Sequence, residues 1–302
     1  MNYKTRRTFR LGLILSILCL ACLPAAAQAA HHHRHHHRSA VLPSDPSRMA
    51  LMSSTALVID QTTRQVVYSK NPDPVHPIAS ITKLMTALVV LESGQDLREQ
   101  LTVTTEDVDM LRFSRSHLRV GARASRLDFL RMALVASENR AASALGRSYP
   151  GGIQAFVARM NAEAARLGMK YTHFEDSSGL HGDNVSTAQD LAILVETASK
   201  YPLIREITTK ASVSVPVGFR GRMVTFRNTN PLVAKPGWEI GLSKTGFINE
   251  SGQCLVMQAT INNHPMVIIL LNAHGHQARF TDAARVRKWL EARNHQVTVG
   301  QI

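Results

Sequence analysis

Scarcity narrows the possibilities first. Aromatic residues make up 5% of the 302 residues, with two tryptophans, too few for a stacking platform for sugars or single-stranded nucleic acid. Of three cysteines, Cys19 and Cys22 lie in an apolar N-terminal segment, and only Cys254 falls in the body of the chain. An exported protein with one cysteine has no internal disulfide. Cys254 lies in the strand-like run Gln253-Cys254-Leu255-Val256-Met257 and is expected in the core, a reactive thiol being the less favoured reading. No apolar run reaches the ~20 residues a membrane-spanning helix needs. There is no Gly-x-Ser-x-Gly elbow, no His-Glu-x-x-His and no phosphate-binding glycine loop. His173, His181, His264, His274 and His276 lack zinc-site spacing, so no metal site is expected. The net charge of +13 comes without a Lys/Arg stripe or a nucleic-acid motif, so nucleic acid is not expected as a partner. An anionic surface or wall polymer is the simpler partner for such an excess.

What is present begins with a targeting segment. Lys4, Arg6, Arg7 and Arg10 precede the apolar stretch Leu11 to Leu23, and Ala27-Gln28-Ala29 has the small-x-small form of a cleavage site. Residues 1–29 therefore read as a secretory signal peptide, which implies a periplasmic protein. Residues 30–48 carry His31-His32-His33-Arg34-His35-His36-His37-Arg38 and read as a disordered tail, a metal-binding role being the alternative. A catalytic domain over 49–292 and a short tail over 293–302 complete the division.

Within that domain, Thr55–Asp60 and Gln65–Ser69 read as a hairpin. A helix begins near Ser80 and ends at Ser93-Gly94. Residues 102–148 read as mostly helical, and Ile153–Leu167 is a helix closed by Gly168. Ser186-Thr187-Ala188-Gln189 is a capping box for a helix reaching about Ser199. From about Ala211 the period is strand-like, with a turn at Glu250–Gln253 and a strand over Pro265–Asn272, before a last helix over Thr281–Ala292. Strands at both ends with helices between predict an α+β fold in which the terminal segments share one antiparallel sheet.

Three short strings carry chemistry. Ser80 and Lys83 stand at i and i+3, which places them on one helix face. A serine hydroxyl becomes a nucleophile when a base takes its proton, and a desolvated lysine is such a base. Alone, the string reads as readily as a helix cap. Ser137-Glu138-Asn139 fits a break between helices or, equally, another N-cap. Lys244-Thr245-Gly246 reads as a strand whose small residue lets another backbone approach, or as an edge strand with a solvated lysine.

Taken in order, Ser-x-x-Lys, Ser-x-Asn and Lys-Thr-Gly form a specific set. The chain resembles the serine D,D-peptidases of the penicillin-binding protein family over about Leu51 to Leu290, most of all the small D-alanyl-D-alanine endopeptidases of the penicillin-binding protein 7 type. Tyr149-Pro150-Gly151-Gly152 and Phe226-Arg227-Asn228-Thr229-Asn230 add to the likeness. The resemblance implies a β-lactamase/transpeptidase-like fold, an antiparallel sheet flanked by helices with a mainly helical lobe. It implies Ser80 as the acylated nucleophile, Lys83 as its base and Ser137 as proton relay. Asn139 would bond Lys83 and the substrate, Lys244 would keep Lys83 neutral, and Thr245 would contact the substrate terminus. The Ser80 and Phe247 N–H groups would form an oxyanion hole beside Gly246. Arg227 would supply positive charge, a surface ion pair being its alternative. No cofactor is implied. The partners implied are peptidoglycan peptide stems and covalent β-lactam inhibitors, with peripheral membrane or wall association. The implied reaction is cleavage of D-alanyl–diaminopimelate cross-links in cell wall remodelling. The alternatives are a D-alanyl-D-alanine carboxypeptidase and a non-catalytic wall- or penicillin-binding protein. Glu175 and Asp176 give no ground for the deacylating carboxylate of a β-lactamase.

Overall fold

The computed structural model describes residues 49–217 and 221–299. The expected signal peptide over 1–29 and histidine-rich tail over 30–48 lie outside the described residues. Strand β1 (Ser53–Asp60) turns into β2 (Val66–Lys70). The short β3 (His76–Pro77) and a 3-10 turn over Ala79–Ile81 lead into α1 (Thr82–Glu92). Short strands β4 (Gln100–Thr102) and β5 (Arg123–Ser125) pair ahead of α2 (Arg126–Val135) and α3 (Asn139–Arg147). Helix α4 (Gly152–Arg166), strand β6 (Val185–Ser186), α5 (Ala188–Ala198) and α6 (Pro202–Thr208) complete the helical lobe. Then come β7 (Ser212–Val215), β8 (Val224–Arg227), β9 (Glu239–Ile248), β10 (Gly252–Ile261), β11 (His264–Ala273) and α7 (Ala278–Val299).

Five strands form one antiparallel sheet in the order β2-β1-β11-β10-β9. The first strand of the domain thus pairs with the last, with Leu57 opposite Ile269, as expected from strands at both ends of the sequence. Side chains alternate across a strand, and here both faces are buried. Leu57, Val256, Val267, Ile269 and Leu271 face the helical lobe, whereas Val58, Leu255, Met257, Ile268 and Leu270 face α7. Period-two patterning with apolar residues on both faces explains the near-continuous hydrophobic runs of β10 and β11. Cys254 is fully buried on the lobe side, and burial pushes its thiol up to about 11.

Helix α1 is buried from Thr82 to Val90. It packs on α2, α3, α4 and α5 and is the axis of the lobe. A carboxylate fastens α7 to the sheet. Asp282, fully buried, accepts the Ser53 N–H at 2.7 Å, the Ser53 hydroxyl at 2.8 Å and the Met52 N–H at 3.1 Å.

Residues 102–148 depart from the expected mostly helical course. Helix is confined to α2 and α3, and 103–122 follow a loop with one 3-10 turn at Thr105–Asp107. Acidic side chains win the local backbone there. Asp107 accepts the Thr104 N–H, and Asp109 accepts the N–H groups of Leu111, Arg112 and Ser114. The cap of α5 is Thr187, with Asp190 as its partner, one residue on from the predicted box. Helix α7 continues past the predicted end at Ala292, into the stretch 293–302 expected to be a tail, and neither glycine nor proline interrupts the sequence before Gly300.

Candidate active site

Ser80 lies in the 3-10 turn ahead of α1, whose N-cap is Ile81 without a side-chain bond. The serine is therefore not spent on capping, and one helical turn carries Lys83 back beneath it. The Lys83 ammonium, fully buried, lies 2.7 Å from Ser80 Oγ, 2.8 Å from Asn139 Oδ1 and 2.5 Å from the Ser178 carbonyl. Burial pulls its pKa down to about 7, against the opposing pull of the Asp176 and Glu138 carboxylates. The proton inventory then decides its role. A neutral amine has two N–H donors and one lone pair. Asn139 Oδ1 and the Ser178 carbonyl have no proton to give, so they take the two N–H groups. The lone pair is left facing the Ser80 hydroxyl.

Asn139 is fixed in turn, its Nδ2 donating to Ser114 Oγ at 3.0 Å. This sets its carbonyl toward Lys83. Ser137 sits at the break between α2 and α3 with φ of 58°, a left-handed conformation that costs a non-glycine residue energy and marks over-determined sites. The cap of α3 is Glu138, so neither serine serves as an N-cap.

The third string comes from the sheet. Strand β9 is at the edge, yet Lys244 is 1% exposed. It pairs with Val256, which faces the lobe, so its side chain runs toward the helices. There Nζ donates to Ser137 Oγ and to the Thr245 carbonyl, both at 2.9 Å. Burial holds the Lys244 pKa well below the usual lysine range, and the charges of Lys83 and Arg279 push it down further. Repulsion between two cations is mutual, which opposes both lysines carrying charge at neutral pH. Thr245 shares a hydroxyl bond of 2.6 Å with Thr229.

Two glycines let the walls meet. A side chain on Gly246 would come within 2.6 Å of the Ile78 carbonyl, so glycine lets β9 lie against the Ala79–Ile81 turn that carries Ser80. Gly179, at φ of 82°, would place a Cβ 1.9 Å from the Ala79 carbonyl, so no other residue fits. Asp176 holds that loop, accepting the N–H groups of Ser178, Gly179 and His181. It therefore organises the turn whose carbonyl binds Lys83. The resulting cleft, of about 260 Å³, is lined by Ser80, Arg112, Ser114, Asn139, Gly179, Leu180, Phe247, Ile248 and Asn249.

The structure thus gathers Ser80, Lys83, Ser137, Asn139 and Lys244, with Thr245, Gly246 and Phe247 on the adjoining strand. Arg227 is exposed in β8, outside the cleft lining. The guanidinium beside the Lys244 strand belongs instead to Arg279, whose Nη1 donates to the Gly246 carbonyl at 2.8 Å. Burial lowers its pKa to about 10. Sequence spacing carries no signal for Ser114, Gly179 or the Ser178 carbonyl either. Among the described residues, no group of three or more His, Cys, Asp or Glu side chains is placed to hold a metal ion, and no helix is long and apolar enough to cross a membrane.

Fold and site together define a serine enzyme of the β-lactamase/transpeptidase-like class. The chain belongs to the S11 peptidase family, whose model, described as D-alanyl-D-alanine carboxypeptidase, matches residues 41–275. It is 48% identical to a D-alanyl-D-alanine endopeptidase of Pseudomonas aeruginosa over 82% of this chain and 79% of that one. It is 43% identical to a D-alanyl-D-alanine endopeptidase of Escherichia coli, over 81% and 79%. Among solved structures, the Streptomyces K15 DD-transpeptidase is similar with a TM-score of 0.74 at 27% identity, over 80% of this chain and 98% of that one.

Proposed function

We propose that the protein hydrolyses D-alanyl peptide bonds of peptidoglycan through an acyl-enzyme on Ser80, cutting D-alanyl–diaminopimelate cross-links in the periplasm. One observation carries the mechanism: two proton-free acceptors hold Lys83 so that its lone pair faces Ser80 Oγ. The Ser80 proton passes to Lys83 Nζ as Oγ attacks the carbonyl carbon. The oxyanion is received by the N–H groups of Ser80 and Phe247. Collapse breaks the C–N bond, and the departing amine takes a proton from Ser137, whose oxygen is held by Lys244, while the proton that Lys83 took from Ser80 passes on to Ser137, so that Lys83 is neutral again for the water step. Water then attacks the ester and Ser80 is restored. The two endopeptidase relatives support the cross-link as substrate.

The family's description supports a second reading, release of terminal D-alanine from uncrosslinked stems. Digestion of purified muropeptides separates the two. Conversion of cross-linked dimers to monomers is the expected result. Intact dimers with free D-alanine would favour the carboxypeptidase. A protein that turns over neither, and takes up no labelled penicillin, would be a wall-binding module instead.

A further inference from the structure

The loop between β4 and β5 delivers a further cation to the cleft. Asp109 gathers the N–H groups of Leu111, Arg112 and Ser114 at 2.8–3.0 Å, so the loop is ordered from within. One consequence, Ser114 bonded to Asn139, belongs to the site already described. The other is Arg112. Arg112 lines the cleft together with Ser80. Its Nε donates to the Leu180 carbonyl at 2.5 Å. Its two terminal nitrogens each lie 3.0 Å from a different oxygen of Glu250, the two-point geometry with which arginine recognises a carboxylate.

Glu250 is the second residue of the turn after β9, beyond Phe247, Ile248 and Asn249 on the cleft wall. The pair therefore stands along β9 on the far side of Phe247 from Lys244 and Thr245. Arg112 is mostly covered, at 22% side-chain exposure, whereas Glu250 is 52% exposed. The cation is fixed by the Leu180 carbonyl and a pre-ordered loop, while its carboxylate partner sits on an open turn. A guanidinium so held is a receptor, and an exposed carboxylate on it is a ligand that can be exchanged for another.

We propose that Arg112 is a specificity-determining residue that binds a free carboxylate on the acyl part of the substrate peptide, with Glu250 as the internal carboxylate it displaces. The inference rests on the D,D-peptidase reading and refines it. A stem residue whose side chain ends in a carboxylate is selected over the same residue ending in a carboxamide. An amide offers one acceptor oxygen and no charge, so it cannot replace Glu250 on both nitrogens.

The test uses two synthetic stem peptides that differ only in acid or amide at that side-chain terminus, and reads the ratio of their kcat/KM values. Wild type favours the acid by about ten- to a hundredfold, the range of a charge-assisted bidentate contact. Arg112→Gln brings the ratio close to one by raising KM for the acid, and Arg112→Lys restores part of it. Glu250→Gln, on an exposed turn, removes the competitor and raises the ratio above that of wild type. A ratio unchanged in Arg112→Gln, or an equal loss on both peptides, overturns the proposal. Wild type that cleaves neither peptide and is not acylated by penicillin overturns the peptidase reading, and this inference with it. Normal acylation with no preference between the peptides overturns this inference alone.

Discussion

The cleft has two walls, and each supplies a lysine bonded to a serine. On the helical wall, Lys83 meets Ser80 from the same turn of chain, with Asn139 and the Ser178 carbonyl taking its other bonds. On the sheet wall, Lys244 reaches across to Ser137, with only its neighbour's carbonyl besides. Both ammonium groups are buried and both pKa values are lowered. The difference lies in what surrounds them. Lys83 is opposed by the carboxylates of Asp176 and Glu138, which keep its pKa near neutrality. Lys244 has cations about it, Lys83 and Arg279. A base must give and take a proton at working pH, and the helical wall is tuned for that. The sheet wall places a lysine where the first one's charge is felt.

The largest effect separates the serines. Ser80→Ala removes the proposed nucleophile, so labelled penicillin should leave no covalent adduct while Ser137→Ala still takes some up. An adduct that survives Ser80→Ala would move the nucleophile to another residue. Next comes the base. Lys83→Gln keeps a polar side chain, one bond shorter, but loses the proton acceptor, and acylation should slow by about 10²–10⁴-fold. In the wild type the acylation rate should rise with pH through about 7 and then level, because Lys83 is neutral above its pKa and protonated below it. A rate independent of pH between 5 and 9 would sink Lys83 as the base.

The same lysine should show in stability. Its folded pKa is depressed below that of the unfolded chain, so its burial costs most below about pH 7. The cost declines as pH rises, by up to about 1.4 kcal/mol per unit, until the unfolded lysine also loses its proton near 10.4. Lys83→Met removes this titration. The stability of the variant relative to wild type should therefore be greatest in acid and fall between pH 7 and 10, as followed by denaturant unfolding. A difference that stays flat across that window would mean that Lys83 keeps its charge when buried.

The two walls were unequally legible in the sequence. Ser80, Lys83, Ser137, Asn139 and Lys244 carry their chemistry in side chains at recognisable spacings, and one antiparallel sheet shared by the terminal segments followed from strands at both ends. The Ser178 carbonyl had no such signal, because every residue has a carbonyl and only the fold says which one meets Lys83. Gly179 is required by the backbone of Ala79, 100 residues earlier in the chain, a contact that periodicity does not report. The helical spacing of Leu130, Leu134 and Val135 belongs to α2 and does not extend to 103–122, where the carboxylates of Asp107 and Asp109 claim the local N–H groups. Arg279 has no signal in the sequence, because it opens a helix far along the chain from the Lys-Thr-Gly string whose Gly246 carbonyl it meets. Arg227, close in sequence to that string, drew the expectation instead.

The smallest effect tests whether the walls act on one another. Lys244→Gln keeps a donor for Ser137 Oγ but removes a positive charge from the neighbourhood of Lys83. With that repulsion gone, the Lys83 cation is favoured, its pKa rises, and the acid limb of the acylation profile moves upward from about 7. The variant should then lose more activity at pH 6.5 than at pH 9, relative to wild type. This pattern is distinct from the uniform loss that follows when only a proton relay is weakened. If the limb stays in place, Lys244 is already neutral whenever Lys83 titrates, and its work is confined to holding Ser137. If the limb moves upward, the base on the helical wall owes part of its neutrality to the strand that faces it.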